Sequence, residues 1–350
     1  MYPSVKSDFL ACVEGRVPGR MPLVSLAMEF YAHQAGVSDE DLRENVDAAV
    51  GCVLDALRRY DEDWAIVFPD DYIEFEPLGL PMRVARDLPA MPAAYLPFTR
   101  DTLRRLTIPD SARAMRMPLH LEMIRRVKRA VGAEALVMGR IAAPYSSLAL
   151  VYGIERLMLG TLLDADLVQD NLEFFVEHQI AFGKAQLAAG ADLLWLGDCC
   201  AASTFISPDQ YAIFAFEPAA RVAEAIVAND GLVIYHSAET SLAHLRYQVQ
   251  LPVHALNIGE RKARIAQLKR ELDPKLCLMG NFDPKLLRDG TPDEVSRATE
   301  QMVRENLPGG RYIFNTGEGV MRTTPPENYE AMCQAARRVG LLAPQLIPSP

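Results

Sequence analysis

Eight short apolar runs recur along the chain, and turn-forming residues bound each of them. The runs are continuously apolar rather than alternating, which is typical of strands in a parallel sheet whose two faces are both covered. We predict strands over residues 22–27, 64–68, 136–143, 192–197, 232–237, 253–258, 275–282 and 311–317.

Segments with helical periodicity separate these runs. The segment 207–230 shows the pattern most fully, because Ser207 can cap a helix, Pro208 suits its first turn, and Asn229-Asp230-Gly231 ends it. Similar signals predict helices over 38–60, 117–132, 291–306 and 324–340, and more than one helix within 144–190.

The alternation of eight strands with helices predicts an α/β fold, a (β/α)8 barrel of the TIM type in a single domain over residues 1–350. An open, doubly wound sheet is the alternative, because alternation alone does not establish closure. The stretch 69–135 is too long for one crossover and is rich in proline. We therefore expect an extended excursion after the second strand, which helps to cover the mouth of the barrel.

Composition and charge narrow the class of protein. The net charge of −10 argues against nucleic-acid binding, because an acidic surface repels phosphate backbones. No apolar run approaches the ~20 residues that span a bilayer, and the N-terminus lacks the pattern of a signal peptide. The six cysteines form no CxxC pair, which favours reduced thiols. We expect a cytoplasmic protein that acts on a small molecule and contacts neither membrane nor nucleic acid.

Polar residues gather where the predicted strands end, which is where such barrels hold their chemistry. Any one of them could simply cap the next helix. Carboxylates, an imidazole and two thiols on one rim nevertheless indicate a metal or acid/base site. In strand order they are Glu29; Asp70 and Asp71; Arg140, Tyr145, Ser146 and Ser147; Asp198, Cys199 and Cys200; His236 and Glu239; Asn257 and Glu260; Asn281 and Asp283; Asn315 and Glu318.

Five segments, in order, resemble the uroporphyrinogen decarboxylase superfamily, and the resemblance runs from about residue 5 to residue 340. Each motif alone is weak, but their order along an eight-fold pattern makes the set specific. The resemblance implies a (β/α)8 barrel, which agrees with the strand count. The segments are DWAIVFPDDYIEFEPLG (63–79), the glycine-to-proline turn and helix of 139–175, the AGAD strand and long helix of 189–222, GNFDP (280–284), and FNTGEGVMRTTPPENYEAM (314–332).

One branch of this superfamily removes the carboxyl groups of four porphyrinogen acetate side chains without a cofactor. The resemblance implies that Asp70 would hold the pyrrole NH groups and stabilise a cationic intermediate. The branch also carries an arginine-rich N-terminal stretch that binds the substrate carboxylates. Here MEFYAHQAG (28–36) keeps Gln34-Ala35-Gly36 but has no arginine. The site therefore offers few cations to a substrate with eight carboxylates.

The other branch contains the corrinoid-linked methyltransferases, which bind zinc through His-x-Cys and a later cysteine. The resemblance aligns His236 with the histidine, but Ala238 replaces the first cysteine and Glu318 stands where the second is expected. Two arrangements remain open. In one, His236 and Glu318 bind zinc with Cys199, or with Asp198 or Cys200 in its place. In the other, no metal binds, and His236 and Glu318 form an acid/base pair.

These arguments predict a corrinoid-protein-linked methyltransferase or demethylase acting on a small methylated substrate. The corrinoid would arrive on a separate protein, since the chain lacks an Asp-x-His-x-x-Gly motif. Porphyrinogen decarboxylation is the alternative, and a non-catalytic ligand-binding relative is the third possibility. The resemblance also implies a homodimer. We expect Asp70, His236 and Glu318 to be catalytic, and the substrate-binding candidates are Glu29, Tyr145, Asp198, Asn281 and Asp283.

Overall fold

The computed structural model describes residues 4–259, 264–272 and 275–341. Its strands are β1 (Trp64–Ile66), β2 (Met82–Ala85), β3 (Leu88–Pro92), β4 (Leu136–Ala142), β5 (Leu193–Gly197), β6 (Leu232–Ser237), β7 (Ala255–Ile258), β8 (Cys277–Met279) and β9 (Tyr312–Ile313). Its helices are α1 (Val5–Val13), α2 (Met28–Gln34), α3 (Asp39–Glu44), α4 (Val46–Tyr60), α5 (Arg100–Arg105), α6 (Met117–Val131), α7 (Pro144–Tyr152), α8 (Ile154–Leu163), α9 (Ala165–Ala189), α10 (Pro208–Tyr211), α11 (Glu217–Val227), α12 (Leu242–Gln248), α13 (Ile265–Leu272), α14 (Pro284–Asp289), α15 (Pro292–Asn306) and α16 (Pro326–Gly340).

Seven parallel strands form the main sheet, in the order β1-β4-β5-β6-β7-β8-β9. Each strand therefore pairs with the next main-sheet strand along the chain, and helices cover the outer face. The register places Gly197 beside His236 and His236 beside Asn257. Because all these strands run in the same direction, their carboxyl ends meet on one side of the molecule, as the sequence predicted.

Residues 22–24 close the ring between the two ends of this sheet. Leu23 forms a parallel bridge with Phe314, just after β9, and its carbonyl accepts a hydrogen bond of 3.0 Å from the backbone N–H of Asp63, just before β1. The predicted first strand is thus present as a single bridge rather than as a full strand, because α2 begins five residues later. The barrel prediction is confirmed, and the alternative of an open, doubly wound sheet is wrong.

Two of the predicted long helices are interrupted, for local reasons. Asn45 divides the predicted helix 38–60 into α3 and α4, and its side chain caps α4 by accepting from the N–H groups of Asp47 and Ala48. The predicted helix 207–230 consists of α10, a π-helical turn over Ala212–Phe216, and α11. Pro218 lies at that junction and has no N–H to donate to the preceding turn.

The excursion after β1 contains the antiparallel hairpin β2–β3, the short helix α5 and then α6. The helix predicted over 117–132 agrees with α6 to within one residue at its end. The segment predicted to hold several helices, 144–190, contains α7, α8 and α9. Helices α7 and α8 follow the carboxyl end of β4, and α9 packs against β4, α6 and α11 on the outside of the sheet.

No helix of the described residues is by itself long and apolar enough to cross a bilayer. The consecutive helices α7 and α8 together reach that length and composition, but they meet at a bend of 115°. All of α7 except Leu150 is buried in the protein core.

Alternate residues of the strands fill the interior of the barrel. Side chains on a strand point to opposite faces in turn, so residues two apart share a face. The interior cluster holds such pairs from five strands: Trp64 and Ile66, Leu136 and Met138, Leu193 and Trp195, Leu232 and Ile234, and Cys277 and Met279. The intervening strand residues, such as Val137, Leu194 and Val233, pack against the surrounding helices.

Glu62, two residues before β1, is a buried carboxyl group among tyrosines. It is 4% exposed and accepts hydrogen bonds from the hydroxyl groups of Tyr31 and Tyr329. Burial raises the pKa of Glu62 to about 7, although these two hydrogen bonds act in the opposite direction. Burial likewise raises the pKa of Glu74 to about 7 and that of Asp198 to about 6.

We expect the free energy of unfolding to fall as the pH rises from about 4.5 to about 7. Over that range the unfolded chain ionises Glu62 freely, whereas the folded chain keeps it protonated, so stability is lost as the pH rises through the folded pKa. Glu62→Gln should remove a part of this dependence on the order of 2–3 kcal/mol. Urea unfolding at several pH values measures it, with the exposed Glu134→Gln as control. An unchanged pH dependence in Glu62→Gln would contradict this account.

Candidate active site

A cavity of about 480 Å³ opens at the carboxyl end of the barrel strands. The alternation of inward-pointing and outward-pointing strand residues also determines which side chains form the walls of this cavity. Two residues beyond the interior pairs, the inner face presents Phe68, Arg140, Gly197 and His236, and all four line the cavity. The loops after the strands complete the lining with Glu29, Asp71, Ser146, Cys199, Cys200 and Glu318, together with Trp195 and apolar side chains that include Met28, Leu150 and Met321.

A chain of side-chain amides determines which ring nitrogen of His236 carries the proton. The backbone N–H of Gly317 donates to Asn315 Oδ1 at 2.7 Å, and Asn315 Nδ2 donates to the carbonyl of Val24 at 3.2 Å. These two backbone groups fix the orientation of the Asn315 amide. Asn315 Oδ1 then accepts from Asn257 Nδ2 at 2.7 Å, so Asn257 Oδ1 is the atom that lies 2.6 Å from His236 Nδ1.

Because Asn257 Oδ1 can only accept, His236 Nδ1 must be the donor, and the neutral ring keeps its lone pair on Nε2. Burial lowers the pKa of His236 below its ordinary value of 6.5, while Glu318 and Asn257 act in the opposite direction. The ring is 5% exposed and lies against Trp195, with ring centroids 4.7 Å apart. At neutral pH, His236 therefore presents an uncharged acceptor atom to the cavity.

Glu318 is the charged neighbour of this acceptor. Its Oε2 lies 4.0 Å from His236 Nε2, which is too far for a hydrogen bond, and its side chain is 46% exposed. Gly259, after β7, makes room for this pair. A β-carbon there would overlap the Glu318 carboxylate and lie 3.1 Å from Cε1 of His236.

Gly259→Ala should therefore displace Glu318. Since the Glu318 carboxylate partly offsets the effect of burial on His236, its displacement should lower the pKa of His236 further. An NMR titration of the His236 Cε1–H proton measures this change. Gly51→Ala is the matched control, since a β-carbon at Gly51 meets nothing within 4 Å. A raised or unchanged pKa in Gly259→Ala would show that Glu318 does not act on His236.

Arg140 is the cation of the described cavity lining, and two carboxylates already engage it. Its Nε lies 3.1 Å from Asp71 Oδ1, and its Nη1 lies 3.5 Å from Glu74 Oε1. The contact with Glu74 is only weakly screened by solvent, because the two side chains are 11% and 1% exposed, whereas Asp71 is 58% exposed and its contact is screened more strongly. Arg140 therefore leaves little positive charge for a ligand.

Asp198 lies beneath the cavity wall rather than on it. It is fully buried, and it accepts hydrogen bonds from Ser146 Oγ at 2.7 Å and from the Tyr235 hydroxyl at 2.6 Å. Ser146, which does line the cavity, also accepts from the backbone N–H of Cys200 at 3.1 Å. Asp198 thus holds the loop after β5 against α7.

Both cysteines after β5 line the cavity, although neighbouring residues of an extended strand point to opposite faces. The reason is that residues 199–201 form a 3₁₀ turn, in which neighbouring side chains do not alternate as they do in a strand. Burial raises the pKa of each thiol to about 12, and the carboxylates of Glu318 and Asp198 add to the shift at Cys199. Both are therefore protonated thiols at neutral pH.

The donor set does not fit a zinc site. Within the parts of the chain that the structure describes, no group of three or more His, Cys, Asp or Glu side chains lies close enough to hold a metal ion. Two tetrahedral zinc ligands lie about 3.3 Å apart, whereas His236 Nε2 and Glu318 Oε2 are 4.0 Å apart. The zinc set of His236, Glu318 and Cys199 stays a prediction from the resemblance, and no step below depends on it.

Asp70, predicted to be catalytic, does not line the cavity, although its neighbour Asp71 does. Asp70 Oδ2 instead accepts from Arg43 at 2.7 Å and from Arg116 at 2.9 Å. Glu76 binds the same two arginines. Although burial raises the pKa of Asp70, the two guanidinium groups outweigh it and hold the pKa below its ordinary value.

The five predicted substrate-binding residues also separate into groups. Glu29 lines the cavity and pairs with Arg322 at 3.3 Å. Tyr145 is fully buried and does not line it. Asn281 and Asp283 line a different cavity, between α13, α14 and α15, and Asp283 also caps α14. Sequence reasoning left out Gly259. Trp195, which the sequence allows either in the core or in the pocket, lines the cavity, as the inner-face alternation indicates.

Fold and cavity together define the class of this protein, an α/β barrel with a cavity at the carboxyl ends of its strands. The family model described as uroporphyrinogen decarboxylase (URO-D) matches residues 4–339. The chain therefore belongs to the uroporphyrinogen decarboxylase family.

The relatives are enzymes of two kinds. A uroporphyrinogen decarboxylase of Methylobacillus flagellatus is 24% identical over 308 residues, which are 86% of this chain and 85% of that protein. The methylcobamide:CoM methyltransferase MtaA of Methanosarcina barkeri is 24% identical over 227 residues, 65% of each chain. A solved methyltransferase from Methanosarcina mazei has the same fold, with a TM-score of 0.86 at 18% identity, covering 97% of this chain and 99% of that one.

Proposed function

We propose that this chain is a methyltransferase or demethylase that acts on a small methylated substrate, with the corrinoid carried by a separate protein. The observation that carries the proposal is the charge of the cavity. Among the described residues its lining holds the three carboxylates of Glu29, Asp71 and Glu318, and the guanidinium of Arg140 is already engaged. A porphyrinogen with eight carboxylates would be repelled by such a site.

The size and composition of the cavity support the same proposal. A volume of about 480 Å³ suits a small ligand. Phe68, Trp195, Leu150 and Met321 supply an apolar wall against which methyl groups can pack. Trp195 packs against the ring of His236, with ring centroids 4.7 Å apart, so a ligand that reaches His236 and Glu318 also meets an apolar surface beside them.

The corrinoid of the separate protein would supply the cobalt that exchanges the methyl group. The chain's own residues bind and orient the small substrate. When the substrate heteroatom carries a proton, His236 Nε2 accepts a hydrogen bond from it, and the heteroatom keeps that proton and leaves as a neutral group. When the heteroatom carries none, His236 would first take up a proton at Nε2 and then donate it to the leaving heteroatom, and in both cases Asn257 orients the ring through Nδ1. Glu318 stabilises positive charge that develops next to His236.

A direct assay tests this proposal. The purified chain is mixed with free cob(I)alamin, standing in for the corrinoid protein, and with small methylated ammonium, ether or thioether compounds. Formation of methylcobalamin above the uncatalysed rate, followed by its absorbance, supports the proposal. Conversion of uroporphyrinogen to coproporphyrinogen would instead establish decarboxylation, and ligand binding without any turnover would indicate a non-catalytic relative.

We also propose a homodimer, a corrinoid protein as the second partner, and a cytoplasmic location. Light scattering tests the oligomeric state, and co-purification with a candidate corrinoid protein tests the second partner. Metal analysis of the purified chain tests the zinc prediction, and stoichiometric zinc that is lost in His236→Ala would support it.

A further inference from the structure

The polar groups that face the cavity differ in what they can offer a ligand. His236 Nε2, Glu29, Asp71 and Glu318 can only accept hydrogen bonds. Of these, Glu29 forms an ion pair with Arg322, which also pairs with Asp39. Asp71 forms an ion pair with Arg140. Glu318 has no contact with a cationic side chain among the described residues other than its approach to His236. The accepting capacity is therefore concentrated on His236 and Glu318.

Most side-chain donors of the described cavity lining are already used within the protein, and the indole N–H of Trp195 is the exception. The guanidinium of Arg140 donates to Glu74 and to the backbone carbonyl of Asp71. Ser146 Oγ donates to Asp198 at 2.7 Å. The thiols of Cys199 and Cys200 are weak donors. A ligand that itself needs donors from the protein, such as a carboxylate or a phosphate, would find few in this cavity.

From this distribution we infer that the substrate is a small protonated amine, whose N–H groups bind His236 Nε2 and Glu318 together. The inference rests on the proposed function only in taking the ligand to be the methylated substrate. It does not rest on negative charge alone, because His236 is 95% buried and its Nε2 is aimed at the cavity with no hydrogen bond to any described residue. His236 Nε2 therefore lacks a hydrogen-bond donor, and a bound ligand would supply one.

The separation of the two acceptors fits one bridging ammonium group. Two charge-assisted hydrogen bonds of about 2.8 Å that diverge at a tetrahedral angle end about 4.6 Å apart. His236 Nε2 and Glu318 Oε2 are 4.0 Å apart, so a modest closing of that angle lets one nitrogen reach both. Phe68 and Trp195 in the same lining favour the N-methyl groups of such a cation through their aromatic rings.

Three related alcohols test the inference by titration calorimetry at pH 7. N-methylethanolamine is protonated at this pH and carries two N–H groups, choline carries the charge without an N–H, and 3,3-dimethyl-1-butanol is the neutral analogue of choline. We expect the protonated amine to bind at least about tenfold more tightly than the neutral alcohol, with choline between them. Equal or tighter binding of the neutral alcohol would overturn the inference.

Variants connect the binding to the two acceptors. Glu318→Gln keeps the shape and removes the charge, and it should weaken binding of the protonated amine about tenfold while leaving the neutral alcohol unchanged. Glu134→Gln removes an exposed carboxylate elsewhere and should change neither. Thermal melting confirms that each variant is folded. Undiminished amine binding by Glu318→Gln overturns the assignment of this residue.

The outcome separates this inference from the proposed function, because binding is measured without any corrinoid. A chain that binds the protonated amine selectively but transfers no methyl group supports the binding site and contradicts the methyltransferase proposal. A chain that methylates cob(I)alamin from a neutral ether but does not prefer the amine contradicts only the binding inference.

Discussion

His236→Ala should lower the rate of methyl transfer by about 10²–10⁴-fold, the range found when a positioned acid/base group is removed. The substitution deletes the buried, uncharged acceptor of the cavity lining, and neither nearby thiol can replace it, because both are protonated. Glu318 remains as an acceptor, but it is charged, is 46% exposed and lies 4.0 Å from the lost atom. Initial rates of methylcobalamin formation measure the effect. The variant should remain folded, since the Asn257–Asn315 hydrogen bond and the barrel core do not depend on the imidazole.

A second buried histidine provides the matched control. His120 is 1% exposed, and its Nε2 pairs with Gln186 away from the cavity. His120→Gln should therefore retain the rate even if it melts at a lower temperature. Asn257→Leu tests the tautomer separately, because it should change the pH profile of the reaction through His236 rather than abolish substrate binding. Wild-type rates in His236→Ala would mean that this imidazole takes no part in the chemistry.

The fold was predictable because its signal is spread along the whole chain. Continuous apolar runs that alternate with capped helices specify a parallel sheet covered on both faces, and each strand from β4 to β9 of the main sheet overlaps a predicted run. The closure of the barrel was harder to predict from the sequence. It depends on the backbone of residues 22–24, which is hydrogen-bonded to the chain on both sides but forms only one bridge.

The site was predictable only where strand geometry determines the direction of a side chain. His236 continues the inward alternation of Leu232 and Ile234, so its place in the cavity follows from period two. Asn281 and Tyr145 lie beyond the regular part of their strands, and position after a strand does not determine which way they point. The approach of Glu318 to His236 also depends on Gly259, whose missing side chain has no signal of its own.

Asp70 shows what a residue matched by resemblance does in the fold, apart from the role that the resemblance implies. Its partners, Arg43 from α3 and Arg116 before α6, are 27 and 46 residues away in sequence, so no local pattern reveals them. Once they converge, the carboxylate is 6% exposed and neutralises two buried cations together with Glu76. This position ties the excursion after β1 to the barrel.

Asp70→Ala should therefore destabilise the fold by about 3–5 kcal/mol, the usual cost of leaving a buried charge without its partner. The variant would keep Arg43 and Arg116 close together with only Glu76 to balance them in the buried cluster. Urea unfolding measures the change. Asp71→Ala is the neighbouring control, because its side chain is 58% exposed and its loss should cost about 1 kcal/mol or less.

A second substitution at this position, Asp70→Asn, separates a structural role for Asp70 from the decarboxylase role that its alignment implies. Asp70→Asn keeps the volume and one acceptor atom, so it should fold at low temperature despite its reduced stability. If Asp70 only holds the arginines, folded Asp70→Asn should transfer methyl groups at a rate near that of the wild type. If this folded variant instead loses turnover of uroporphyrinogen that the wild type carries out, then Asp70 acts on the substrate. Its carboxylate would then have to leave Arg43 and Arg116 to reach the cavity.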